Sequence, residues 1–281
     1  MPFDANRMAL VATAHGAIWI GSYLLLDQAW YKNYPREPFH FYNDNKEWNQ
    51  LDKAGHIWTT YQMSRLSAEM WHWTGLNRKK SVLYGSLSGM AYQSIIEIQD
   101  GYSAGWGFSL GDMAANMIGA ASFAAQEIGW NEQRIQVKFS YQHADYPQQY
   151  QSRRNELFGK GLPTRILKDY NGQTYWLSLN LHSFHKSGWL PAWLNLAAGY
   201  SSDLMLGGYE NSWQNDNGEL VHADGTERLR RFYLSPDIDF TKIRTGSKFL
   251  KSVFFLLNTV KIPAPAVELN RKGIRFHTIY F

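Results

Sequence analysis

The chain has 281 residues, which is enough for one large domain or two ordinary ones. Hydrophobic residues make up 44% and charged residues 19%, and this balance excludes a disordered chain, a collagen-like chain and a simple coiled coil. The net charge is only +4, so we expect no nucleic-acid partner. The absence of cysteine excludes disulfides, thiolate metal sites and cysteine nucleophiles. Aromatic residues are the outlier at 16%, which is typical of proteins that meet a membrane interface.

The first predicted helix covers residues 8–26, which contain no Asp, Glu, Lys or Arg. Its 19 residues are just enough to cross a bilayer. Only Arg7 precedes the stretch and no small-residue cleavage site follows it, which is not the pattern of a secretory signal peptide. Two interpretations remain: a buried or membrane-associated helix of the mature protein, or a transmembrane anchor.

Three further helices are predicted at residues 51–74, 81–99 and 110–128. The last two carry small residues that let neighbouring helices approach closely, among them Gly89 and Gly119. We therefore expect residues 1–130 to form a helical bundle.

After Gly129 the apolar period changes from near 3.6 to 2. Alternation predicts strands at residues 134–143, 175–182, 194–201, 229–234 and 274–281, whereas the apolar run 249–257 fits a short helix or a buried strand, and 144–174 and 203–227 are expected to be long polar loops. The fold class is therefore α+β, with residues 131–281 as a second domain that forms an antiparallel sheet or an incomplete barrel.

The last predicted strand, which ends at Phe281, resembles the closing strand of outer-membrane β-proteins. A closed barrel of that kind needs about eight strands or more. Five predicted strands, with one or two further candidates, are too few, so we expect a sheet that does not close by itself.

The predicted helices carry three polar pairs. Each pair has helical spacing: Asp52 with His56, Glu97 with Asp100, and Asp112 with Asn116. If the helices pack together, the six side chains share one confined site. A buried carboxylate without compensation is costly, so the site needs a cation, protons or a basic partner.

The pattern predicts a divalent-cation site. Its predicted ligands are Asp52, His56, Glu97, Asp100, Asp112 and Asn116. Oxygen ligands suit Ca²⁺ or Mg²⁺, and an imidazole adds Zn²⁺ or Mn²⁺ as candidates. His56 and Glu97 are the predicted catalytic residues, either of which would act as a base on cation-activated water.

A purely structural interpretation stands beside this one. Ser109 and Asp112 have the spacing of a capping box, Asp52 is placed to cap its helix, and Asp100 fits a solvated helix end. The polar pairs would then form a hydrogen-bond network that ties the helices together.

The helical half resembles a family. Asp52-Lys53-x-x-His56, then Glu97-x-x-Asp100, then Gly105-Trp106 with Asp112-x-x-x-Asn116-x-x-Gly119-Ala120, is similar to the YfiM-like predicted periplasmic lipoproteins and distantly similar to the VanZ-like membrane proteins. The resemblance covers about residues 45–130. It implies a location in the cell envelope of a Gram-negative bacterium, and it implies no settled activity.

Two functions from different classes follow as expectations. The first is an outer-membrane or periplasmic protein that uses the carboxylate/His cluster as a metal-assisted hydrolase of lipid or glycan. The second is a non-enzymatic envelope scaffold, or a protein that binds lipid or a partner protein, in which the cluster is structural. In both, the expected partner is a membrane lipid or an envelope protein.

Overall fold

A computed structural model of the chain describes residues 2–32, 34–186, 188–215, 217–223 and 225–281. The chain divides into two compact units, residues 1–45 with 53–133 and residues 46–52 with 134–281. The first unit is helical and the second contains an antiparallel sheet, so the predicted α+β class is confirmed. The division into domains 1–130 and 131–281 stays a prediction.

Four long helices build the first unit. They are α1 (Ala5–Leu26), α2 (Leu51–Trp73), α3 (Arg78–Gly101) and α4 (Leu110–Trp130). Side-chain caps explain where three of them begin: Asp4 caps α1, Asn77 caps α3 and Ser109 caps α4, each by accepting a hydrogen bond from a backbone N–H in the first turn.

Helix α1 is long and apolar enough to cross a membrane, and within the described ranges it is the one helix with that property. Only 11% of its most apolar window is buried. Its His15 is buried, lies 2.9 Å from the hydroxyl of Ser67 and stacks on Trp71. A membrane span, a signal sequence and a core helix all fit this helix by length and composition.

Two glycines bring α3 and α4 against α2. A Cβ atom at Gly89 would lie 2.5 Å from the hydroxyl of Ser64, and one at Gly119 would collide with the backbone carbonyl of Ile57. Since helices approach this closely only where a side chain is missing, the three backbones come near enough for short polar side chains to meet.

The second unit begins with β1 (Ile135–Tyr141). The next elements are α5 (Gln151–Phe158), α6 (Leu162–Lys168), β2 (Gln173–Asn180), α7 (Leu181–Phe184), β3 (Leu194–Asp203), β4 (Ser212–Gln214), β5 (Leu220–His222) and β6 (Leu229–Ile238). The chain ends with α8 (Lys248–Leu257), β7 (Ala264–Asn270) and β8 (Gly273–Tyr280). The run 249–257 is therefore a helix, and the segments predicted as long loops contain short helices and strands.

Among the described residues, six strands form one antiparallel sheet in the order β1-β2-β3-β6-β7-β8, which does not close. Strands β4 and β5 pair separately. One side of the large sheet packs an aromatic cluster around Trp176, Tyr233 and Tyr280. On this side the hydroxyls of Thr174 and Tyr280 lie 3.0 Å apart, which links β2 to β8.

The buried side of the sheet combines this aromatic cluster with polar and charged side chains, whereas the other side is apolar. Lys138 and Asp237 form a salt bridge of 2.8 Å and are both completely buried. Gln136 donates to the Asp239 carboxylate at 2.8 Å on the same side. By contrast, Leu177 on β2 is 54% exposed. This is the reverse of the arrangement in most soluble antiparallel sheets.

Candidate functional site

The three helices α2, α3 and α4 each present polar side chains to a common centre in the first unit. Helix α2 contributes His56 and Thr60, and α3 contributes Glu97. Helix α4 contributes Asp112 and Asn116. Glu97 and Asn116 are completely buried, so the centre lies inside the bundle and not on its surface.

His56 lies between two carboxylates. Its Nδ1 is 3.5 Å from Oε1 of Glu97, and its Nε2 is 3.6 Å from Oδ1 of Asp112. The Nδ1 atom is also 3.0 Å from Oδ1 of Asn116. Because one ring nitrogen carries the proton in the neutral tautomer, the imidazole is placed to pass a proton from one carboxylate side to the other.

Lys53 neutralises part of this acidic centre. Its Nζ lies 2.7 Å from Oδ1 of Asp44 and 2.7 Å from Oδ1 of Asp112. Asp44 also accepts a hydrogen bond of 2.6 Å from Ser109. Burial opposes ionisation of Asp44, but hydrogen bonds with Asp112, Lys53 and Ser109, together with the charge on Lys53, outweigh it and lower the pKa of the Asp44 carboxyl.

An Asp/His/Asp group with the spacing of metal ligands forms part of the cluster. One ligand atom from each of Asp52, His56 and Asp112 lies within 4.8 Å of the other two. Asp112 is buried, and the other two are half-buried. Asp52 lies one helical turn before His56 on α2, and its Oδ1 accepts a hydrogen bond of 3.0 Å from Tyr170.

Two buried amide side chains at the centre, Asn116 and Gln93, each have one polar atom without a hydrogen-bond partner among the described residues. Oδ1 of Asn116 accepts from Thr60 at 2.9 Å and from Gln93 at 3.2 Å. Nδ2 of Asn116 and Oε1 of Gln93 are buried and have no hydrogen-bond partner among the described residues. Buried polar atoms are almost always satisfied, so these two atoms indicate room for a bound polar group.

Asp100 has a different environment. Its Oδ1 accepts a hydrogen bond of 2.6 Å from Tyr31, which lines a cavity of about 490 Å³ together with Tyr34, Ile98 and Tyr102. Burial and the charge of Asp100 raise the pKa of Tyr31. Tyr31 therefore stays protonated and donates to Asp100.

The structure thus brings together five of the six predicted ligands, and the sixth is not part of the Asp/His/Asp group. Asp52, His56, Glu97, Asp112 and Asn116 meet at the centre, while Asp100 pairs with Tyr31. Their catalytic and ligand roles stay predictions. Sequence reasoning missed Asp44, which lies outside any periodic segment, and Gln93, which a search for polar residues one helical turn before Glu97 would have found.

The fold and the site define an α+β protein with an Asp/His/Asp group on helices α2 and α4. The model of a family described as predicted periplasmic lipoprotein (DUF2279) matches residues 40–126. The matched span contains every residue of the cluster, as well as Asp100. The family description names a periplasmic lipoprotein, and the apolar helix α1 is consistent with a signal sequence. No curated protein and no solved structure matches the chain.

Proposed function

We propose that the cluster binds a divalent cation and hydrolyses a lipid or glycan of the cell envelope. The observation that carries the proposal is the Asp/His/Asp group, whose three ligand atoms lie within 4.8 Å of one another. An imidazole with two carboxylates suits Zn²⁺ or Mn²⁺, and the oxygen-rich surroundings also admit Mg²⁺ or Ca²⁺.

The burial of acidic side chains at the centre supports a cation. Glu97 and Asp112 are buried carboxylates on either side of His56, and Lys53 lies beside Asp112. Carboxylates inside a protein lose their hydration, and a divalent ion would compensate them. The spare amide atoms of Asn116 and Gln93 support a bound polar group at the same centre.

The proposed chemistry needs one base, and the cluster offers two. A bound cation lowers the pKa of a water molecule. If His56 held the cation with Asp52 and Asp112, Glu97 would accept the proton from that water; if the oxygen ligands alone held the cation, His56 would accept it. The water oxygen would then bond to the substrate as its ester or glycosidic bond breaks. The protonated base then returns the proton to the leaving oxygen, so that protons balance over the cycle.

We place this activity in the outer membrane or the periplasm of a Gram-negative bacterium. The description of the family as predicted periplasmic lipoproteins and the apolar helix α1 support this location. Substrates available there include lipids and glycans, which contain the bonds that the proposed chemistry breaks.

The test measures cation binding directly. Full-length protein purified without chelator is analysed for bound metal and titrated calorimetrically with Mg²⁺, Ca²⁺, Mn²⁺ and Zn²⁺. We expect about one equivalent of one cation, which Asp112→Ala and His56→Ala remove. Asp100→Asn is the matched control because Asp100 lies outside the Asp/His/Asp group, and it should keep the cation. If no cation binds the wild type, the proposal is wrong.

The ion pairs of Lys53 favour a second candidate, a non-enzymatic scaffold. Lys53 lies 2.7 Å from both Asp44 and Asp112, as a purely structural network would require. In a scaffold Glu97→Gln lowers the thermal midpoint, and no cation changes the midpoint of the wild type or the variant. A shift of several degrees with one cation would instead support the hydrolase.

A further inference from the structure

The outward face of the six-stranded sheet is apolar across its whole width. One row of paired residues crosses all six strands: Val137, Leu177, Ala198, Leu234, Val267 and Phe276. Leu234 is 50% exposed and Phe276 is 70% exposed. Val137 at the β1 end of the row is buried, and the rest of the row is exposed on a regular surface, so something apolar must cover it to remove it from water.

Two flanking rows extend the same face. One contains Phe139, Tyr175, Tyr200, Phe232, Leu269 and Ile274, and the other contains Ile135, Leu179, Leu196 and Pro236. None of the three rows contains a charged residue. The two outermost rows are four residues apart along a strand, which is about 13 Å. The six strands side by side make the apolar face about 24 Å wide.

The opposite face is buried and carries charged side chains beside the aromatic cluster of Trp176, Tyr233 and Tyr280. Lys138 and Asp237 are paired there, and Glu268 accepts a hydrogen bond of 2.7 Å from His277. A sheet that buries its charges and exposes its apolar side chains is stable in contact with lipid. Its apolar side chains then contact acyl chains instead of water, and its buried charges pair with one another.

Helix α8 and the β2–β3 connection show which apolar partner fits. Helix α8 joins β6 to β7 and exposes Phe249 and Leu256 beside Lys248 and Lys251. An amphipathic helix of this kind lies at the level of lipid headgroups and is attracted to anionic lipids. In the β2–β3 connection Trp189 is 80% exposed, as Trp often is at a membrane interface.

We propose that this sheet face, together with α8, is a membrane-contact surface that rests on the acyl chains of a bilayer with anionic headgroups. Strands β1 and β8 are the edges of the sheet, and residues 259–261 bridge β1 at Phe139, whereas no described strand lies beyond β8. An open edge such as that of β8 does not occur inside hydrocarbon because its peptide groups need partners. The sheet therefore lies on one leaflet and does not span the bilayer. This inference is independent of cation binding in the first unit.

Vesicle flotation tests the proposal with the full chain. Vesicles of phosphatidylcholine alone and of phosphatidylcholine with phosphatidylglycerol are compared, with no divalent cation added. We expect the protein to float with both and to bind the anionic vesicles more tightly. The variant Leu234→Gln with Phe276→Gln should lower the partition coefficient by about tenfold or more, since each buried apolar side chain contributes to transfer.

The matched control is Leu167→Gln with Leu220→Gln, because both leucines are 61% exposed and neither lies in the six-stranded sheet. The control should bind within about twofold of the wild type. The variant Lys248→Gln with Lys251→Gln should lose the preference for anionic vesicles. Equal flotation of the sheet variant and the control overturns the proposal. Absence of flotation, with a dimer that the sheet substitutions dissociate, shows that a second copy of the chain covers the face.

Discussion

Nζ of Lys53 lies 2.7 Å from Oδ1 of Asp112 in the interior of the helical unit. The same ammonium lies 2.7 Å from Asp44. Lys53 therefore occupies a position where its removal leaves two mostly buried carboxylates without their shared positive charge.

Lys53→Met should lower the free energy of unfolding by about 2–4 kcal/mol at pH 7, because removing the cation of a buried ion pair leaves its carboxylate partner buried without that charge. Urea unfolding with and without Mn²⁺ or Mg²⁺ measures this loss. If the cluster is a cation site, a millimolar cation should recover part of it. Lys79→Met is the control, since Lys79 is exposed on α3, and it should change stability by less than about 0.5 kcal/mol.

The close approach of α2 and α4 makes Gly119 sensitive to a single methyl group. A Cβ atom there would collide with the carbonyl of Ile57, so Gly119→Ala should destabilise the protein by about 2–4 kcal/mol. Gly129 lies in the same helix with nothing within 4 Å of its would-be Cβ. Gly129→Ala should therefore stabilise by up to about 1 kcal/mol. Denaturant unfolding measures the free energy of unfolding of both variants. Equal changes in the two would contradict the close packing of α4 against α2 at Gly119.

Lys261 should make stability rise with pH in the alkaline range. Burial and the neighbouring charge of Lys138 outweigh the opposing effect of Asp237 and lower the pKa of Lys261 to about 8. Between that value and its ordinary pKa of about 10.4, the unfolded chain holds the proton and the folded chain releases it, so folding gains stability as pH rises.

The corresponding variant is Lys261→Met, which should stabilise the protein by about 1–3 kcal/mol at pH 7 and flatten the rise between pH 8 and pH 10. Urea unfolding at pH 7, 8.5 and 10 checks both effects. An unchanged pH profile in the variant would show that another group causes the rise.

The pair of Glu268 and His277 should respond to acid. Burial opposes ionisation of Glu268, but hydrogen bonds from His277 and Asn270 and nearby positive charges outweigh it, so the pKa of Glu268 is lowered. Its stabilising effect is present above the ordinary pKa of about 4.3 and is lost as pH falls through the lower folded value. His277→Ala should cost about 1–2 kcal/mol at pH 7 and less at pH 3, as measured by thermal unfolding.

Sequence patterns predicted the helices well because apolar period and length are strong signals in this chain. The helix expected at 51–74 is Leu51–Trp73, and the strand expected at 134–143 is Ile135–Tyr141. Strand β7 was missed because Pro263 and Pro265 cannot donate backbone hydrogen bonds, and proline is therefore a signal against a strand. Helix α5 was missed because its mostly polar residues provide no apolar stripe.

Alternation along a strand does not say which face is buried. The pattern around Phe139 and Leu177 predicted half-buried strands, and the structure exposes Leu177 while it buries Lys138 and Ser178 on the other face. Which face of the sheet is buried depends on pairs such as Lys138 with Asp237. The two residues are far apart in the chain, so a local sequence pattern does not predict their contact. In the cluster, helical spacing predicted the pairs Asp52–His56 and Asp112–Asn116, and the meeting of the two pairs followed only if the helices pack together; no local signal placed Asp44 beside them.

The Lys138–Asp237 pair also sets an order of events during synthesis. Every residue of the helical cluster has left the ribosome once Asn116 has emerged, so the bundle can assemble on a short nascent chain. Lys138 must wait until 99 further residues have been translated before its carboxylate partner exists. Until then β1 has an unpaired ammonium on one face and exposed apolar side chains on the other, a combination that makes the unfinished sheet prone to aggregation.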